Sequence, residues 1–134
     1  MSEQENVQVV QAIYAAFGQG DIPAVLDALT DDIDWWIDGP PEIPYAGTQH
    51  GRAEVSQNFV RLNETVAFES FAPEEFIAQG DQVVAIGSDQ RRVRKTGKLI
   101  ENKWAMVFTL REGKVSRFRA FESSAAAVAA IRGG

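Results

Sequence analysis

Apolar positions in the first third of the chain recur at three- and four-residue spacing. Val7, Val10, Ile13, Tyr14 and Phe17 make one such stripe, and Gly18 and Gly20 end it. Asp21 suits an N-cap, with Pro23 in the first turn, and Val25, Leu26 and Leu29 make a second stripe. The two stripes read as a helical hairpin joined by Gly-Gln-Gly-Asp. Ile33 to Asp38 is short and aromatic-rich, and reads as a strand that ends at Gly39-Pro40-Pro41. Residues 39–51 hold three prolines and three glycines and are predicted to be an ordered loop. Val55, Phe59 and Leu62 predict a third helix over 52–62.

Beyond Leu62 the period changes from helical to strand-like. Strands are predicted over 66–79 (with an edge or bulge at Pro73), 83–94, 98–110 and 115–122, and Ser123 or Ser124 caps a last helical turn through Ile131. There is no repeat and no domain boundary. Three helices followed by a meander predict a single α+β domain over 1–134, in which a curved antiparallel sheet wraps the helices on its concave side.

Register assigns the faces. A two-residue turn at Thr96-Gly97 would pair Val93 with Ile100, Arg91 with Asn102, Asp89 with Trp104, Gly87 with Met106 and Ala85 with Phe108. Strand side chains alternate, so these residues share one face, expected to be concave and buried. Arg92, Gln90, Ser88 and Ile86 take the other, convex face. Along the last strand Phe118, Ala120 and Glu122 fall on one side and Arg117, Arg119 and Phe121 on the other.

Composition narrows the function classes. The 134 residues carry a net charge of −6, the wrong sign for tracking phosphates, so no nucleic-acid partner is expected. Cysteine is absent and histidine occurs once, which excludes thiolate and multi-histidine metal sites. No metal and no cofactor are expected. The polar, acidic start and the lack of a long apolar run predict neither a signal peptide nor a membrane partner, and hence a cytoplasmic protein.

Several short motifs fall in a telling order. They are Ala15-Ala16-Phe17 before Gly20-Asp21, Leu29-Thr30-Asp31-Asp32 before the first strand, Pro44-Tyr45-Ala46-Gly47 leading to Gly51-Arg52, Gly80-Asp81 before Val83-Val84, and Gly113-Lys114-Val115. In this the chain resembles the nuclear transport factor 2-like superfamily, in its SnoaL-like and ketosteroid isomerase-related bacterial branch. The resemblance covers nearly the whole chain. It implies a cone-shaped, cystatin-like α+β barrel, open at one end, with a ligand pocket between sheet and helices. The superfold hosts isomerases, cyclases, dehydratases, epoxide hydrolases and non-catalytic binders. Aligned on Ala15-Ala16 and Gly20-Asp21, the tyrosine, base and oxyanion aspartate of a ketosteroid isomerase fall on Ile13, Ile37 and near Met106. The pocket histidines of SnoaL-like relatives fall on Trp36 and Met106. Their common acidic residue at the end of the last strand is matched by Glu122.

Glu122 and Asp89 are therefore the acid/base candidates. A carboxylate among aromatic rings has a raised pKa and can exchange a proton near neutrality. The competing reading makes Glu122 a rim residue or a helix cap. Glu122 is expected deep, and Arg91 nearer the open hairpin end. Asp89 and Arg91 share a face, two residues apart, and resemble part of the Asp-Arg-Asp set of limonene-epoxide-hydrolase-like relatives; the alternative is a structural ion pair. Trp35, Tyr45, Phe59, Arg91, Trp104, Met106 and Phe118 are candidates for binding a small hydrophobic molecule, Tyr45 from a loop over the barrel mouth. For Phe59 and Phe108 plain core is the rival reading. Only one of Trp35 and Trp36 can face inward, and His50 is a lone loop histidine. The apolar end of the convex face, Val84, Ile86, Ala105, Val107 and Thr109, predicts a homodimer. Two functions stay open: cofactor-independent isomerase, cyclase, dehydratase or epoxide-hydrolase-like chemistry, and a non-catalytic ligand-binding or dimerisation module.

Overall fold

The computed structural model describes residues 1–133. Helix α1, Glu3–Gly18, starts at a capping box in which the Ser2 hydroxyl accepts from the Glu5 amide and the Glu5 carboxylate accepts from the Ser2 amide. Helix α2, Ile22–Asp27, is capped by Asp21, whose carboxylate accepts from the Ala24 amide. Then follow β1 (Leu29–Ile37), β2 (Gly47–His50), α3 (Gly51–Thr65), β3 (Val66–Gln79), β4 (Gln82–Val93), β5 (Leu99–Arg111), β6 (Lys114–Phe121) and α4 (Ser124–Arg132). No helix among the described residues is long and apolar enough to cross a membrane.

The six strands form one sheet in the order β2-β1-β6-β5-β4-β3. Every pairing is antiparallel, as expected, except that β1 and β6 run parallel. The parallel contact arises because β1 enters the sheet from the helical hairpin while β6 arrives at the end of the meander. The sheet curves round α1, α2 and α3, giving the expected α+β cone fold. Helix α3 runs past its expected end at Leu62 to Thr65, and two segments change type from the sequence reading. Leu29, expected on a helical stripe, opens β1, and Gly47–His50, expected as loop, is a short strand paired with Asp34–Ile37.

The β4–β5 register is offset by two from the expected one. Arg91 pairs with Ile100, Asp89 with Asn102, Gly87 with Trp104 and Ala85 with Met106. The connection is longer than a two-residue turn: the Val93 amide donates to the Lys98 carbonyl, and the Gly97 amide, at positive φ, donates to the Val93 carbonyl. An even offset keeps every side chain on its predicted face, so Val83, Ala85, Asp89, Arg91 and Val93 are buried as expected.

Strand β3 is irregular twice, between Phe68 and Ser70 and between Pro73 and Glu75. Each irregularity shifts the alternation by one. Phe68 pairs with Arg91, Phe71 with Asp89 and Phe76 with Ala85, so all three rings reach the concave side although strict alternation would split them. On the other side of the sheet Ile77, Ile86 and Phe121 remain exposed.

Candidate functional site

At the end of the sheet where β6 gives way to α4, three ionisable side chains meet inside the fold. The Asp89 side chain is 0% exposed, Arg91 4% and Glu122 9%, so all three have left bulk water. Arg91 forks onto Asp89, with Nε to Oδ1 at 2.8 Å and Nη2 to Oδ2 at 2.7 Å. The same Nη2 donates to Glu122 Oε2 at 3.3 Å, and Nη1 donates to the Tyr45 hydroxyl at 3.2 Å. Asn102 Nδ2 donates to Asp89 Oδ2 at 3.1 Å and to Glu122 Oε2 at 3.5 Å, while its Oδ1 accepts the Ser123 amide. Asn102 thereby ties the turn carrying Glu122 to β5. The Phe68 ring covers the guanidinium, with Cζ 4.8 Å from the ring centroid.

The two carboxylates are held unequally. Asp89 takes both prongs of the fork, the strongest contact a carboxylate makes with a cation. Glu122 receives one long contact from Arg91, and among the described residues no hydrogen bond reaches its Oε1. Burial pushes the Glu122 carboxyl above the usual range, more strongly than the Arg91 charge pulls it down. Burial works against the Arg91 cation, but the Asp89 hydrogen bonds and the Glu122 charge outweigh it and raise its pKa. Burial also raises the Tyr45 phenol, which keeps its proton. The cluster is thus a fixed cation–carboxylate pair beside a second carboxyl able to take up a proton.

Beside the cluster lies a cavity of ≈ 70 Å³ lined by rings and aliphatic groups, with Glu122 and Arg91 its ionisable lining residues besides two tyrosines. Trp35, Tyr45, Phe59, Arg91, Met106 and Phe118 all line it, as does Glu122. Trp35 stacks on Phe118, with centroids 3.9 Å apart, while Trp36 points to the other face against Phe121.

A profile of the SnoaL-like domain matches residues 10–118. The chain belongs to the SnoaL-like domain family. Among solved structures, an NTF2-like protein from Burkholderia xenovorans is 36% identical over 98% of both chains, with a TM-score of 0.88. An NTF2-like protein of unknown function from Burkholderia pseudomallei is 29% identical, again over 98% of both, with a TM-score of 0.88. TerC, co-crystallised with polyporic acid, is 25% identical over 96% of this chain and 98% of its own, with a TM-score of 0.86. No curated protein matches the chain.

Not every candidate of this SnoaL-like domain lies where the sequence suggested. Trp104 is buried but is not among the cavity-lining residues. Its ring occupies the notch left by Gly87, where a Cβ would stand 2.6 Å from Trp104 Cζ2, and packs against Tyr14 and Phe71, which also touch each other. Asp89 stands behind Arg91, off the cavity wall. Glu122 is not deeper than Arg91, since its side chain is 9% exposed against 4%. His50 is 72% exposed at the start of α3, 3.8 Å from Asp34, and belongs to the surface. Sequence reasoning missed three residues. Tyr14 lines the cavity and donates to Met106 Sδ at 3.1 Å. Alignment had put Ile13 there, yet helix neighbours are only about 100° apart and both reach the cavity. Asn58 holds the Tyr45 carbonyl at 3.2 Å, and Asn102 joins the carboxylates. The buried side of the helix and strand pattern was the available signal for both asparagines.

Proposed function

We propose that this SnoaL-like domain binds a small, mostly hydrophobic molecule in the aromatic cavity and moves a proton on it, with Glu122 as the proton carrier and no cofactor or metal. The observation that carries this reading is the Glu122 carboxyl, buried, raised and with no hydrogen bond to Oε1 among the described residues, in the wall of a mostly apolar cavity. Arg91 holds Oε2, and Asp89 fixes Arg91 in turn, so Asp89 positions the machinery without touching the ligand. Tyr45 presents a protonated hydroxyl beside Glu122. Isomerase, cyclase and hydratase chemistry all need such a group near neutrality. The polyporic acid complex of the similarly folded TerC supports a small organic ligand in this architecture.

The test is deuterium uptake from solvent into the methyl group of acetophenone, together with carbon-13 titration of Glu122. Wild-type protein should speed uptake above buffer. Glu122→Gln should abolish the effect while preserving fold and acetophenone affinity, since the amide keeps the shape and an acceptor. A Glu122 pKa at or below the ordinary carboxylate value would remove it as the carrier. A second reading, a non-catalytic binding module, draws on the hydrogen bonds that Glu122 Oε2 already receives from Arg91 and Asn102. It expects no uptake at all, and a Glu122→Gln effect on affinity alone.

The same reading includes a homodimer through the convex face. Exposed Ile77, Ile86 and Phe121 lie there with half-buried Val84, Ala105 and Val107, an apolar strip of the kind that marks an interface.

A further inference from the structure

The cavity beside Glu122 is small. Its ≈ 70 Å³ falls well short of the roughly 300–1,000 Å³ of pockets that take drug-sized molecules. A much larger groove of ≈ 840 Å³ lies outside it, between the end of α1, α2, α3 and the edge strand β3. Five residues line both: Phe17, Phe59, Leu62, Phe68 and Phe71. All five are only half-buried. The four rings touch one another at their edges and tilted faces, with Phe17 5.3 Å from Phe71, 5.5 Å from Phe68 and 6.1 Å from Phe59 between centroids. A thin aromatic partition therefore separates cavity from groove. The irregularity between Phe68 and Ser70 builds half of it, by turning Phe68 and Phe71 to the same side.

We infer that cavity and groove form one channel, and that the ligand is elongated. Its compact head passes the phenylalanine partition to reach Glu122, and its apolar tail stays in the groove against Ile22, Val60 and Ala67. Rotamer changes in these half-buried side chains open such a partition without moving the backbone. Val60 is 52% exposed, an apolar group that gains by being covered. The inference rests on the ligand-binding part of the proposed function and is independent of its chemistry.

The test compares two probes with the same head, acetophenone and hexanophenone, by isothermal titration of the full chain. Hexanophenone has four more methylenes. At half burial each, it should bind about fifteenfold more tightly. Val60→Asp touches the groove and not the cavity, so it should cut that ratio to about threefold and leave acetophenone affinity unchanged. Amide shifts on adding hexanophenone should include Ser56, Val60 and Ser70, which acetophenone leaves in place. An unchanged ratio in Val60→Asp, or shifts confined to the convex face, overturns the channel alone. If acetophenone itself fails to bind, the ligand pocket falls, and the channel with it.

Discussion

Replacing Arg91 with leucine tests what holds the charged cluster together. The substitution keeps an apolar stem but leaves Asp89, 0% exposed, with one remaining donor, Asn102 Nδ2 at 3.1 Å. Breaking a buried pair by removing one partner costs about 3–5 kcal/mol, because the other charge stays behind without compensation. Unfolding entropy of roughly 2.1 cal/mol/K per residue over the 134 residues comes to about 280 cal/mol/K. A loss of about 4 kcal/mol then lowers Tm by about 14 °C. Arg91→Leu/Asp89→Leu removes both charges and should recover most of the loss, since an apolar pair is often no worse than a buried ionic one. Calorimetry at neutral pH reads both. A loss under about 1 kcal/mol for the single variant, or a double variant no more stable than the single, would refute the argument.

Glu122→Gln should be at least as stable as wild type at neutral pH. The raised Glu122 carboxyl is harmless below the unfolded value of about 4.3 and costs stability as pH rises through its folded pKa, so the variant's gain should vanish toward pH 4 in urea titrations. Gly87→Ala should cost about 1–3 kcal/mol by overpacking, read as a lower urea midpoint at constant slope, because the new Cβ would collide with the Ala72 carbonyl and sit 2.6 Å from the Trp104 ring. Ile86→Arg should convert the proposed dimer to a monomer in sedimentation, with Tm otherwise little changed; a dimer of unchanged mass discards the convex interface. Excess chelator should leave Tm and acetophenone binding untouched, and loss of either that added Mg²⁺ or Ca²⁺ restores would point to a hard-ion site.

Period and punctuation made most of the fold legible. The helical stripe of α1, the change to period two after α3 and the glycine turns are local signals, and local signals survive folding. What failed was non-local. No local feature tells that β1 will lie parallel to β6, or that Gly47–His50 will pair with Asp34–Ile37. The β4–β5 register is offset by two, yet the faces were right, since parity is all that facing requires. That is why Asp89, Arg91 and Met106 were found. Trp104 was misjudged because the Gly87 notch that seats its ring is visible only once both strands are in register. The family's tyrosine position falls on Ile13, and a displacement of one residue, which reverses the facing on a strand, still leaves Tyr14 on the cavity side of a helix. The candidate site was half legible: its charges follow from strand parity, whereas Asn58 and Asn102 earn their places through contacts between distant segments.

The breaks in β3 bear on solubility. An open sheet has two edges, and each offers unpaired backbone groups to a neighbouring molecule. One edge is β2, only four residues long. The other is β3, fourteen residues long and rich in phenylalanine, the kind of strand that recruits copies of itself into fibres. Its two irregularities, Pro73 and the outward carboxylates Glu69, Glu74 and Glu75 spoil it as a template for another strand. The twist that gathers rings for the ligand thus also guards the protein against self-assembly. Straightening β3, by deleting Glu69 for instance, should yield a chain that precipitates.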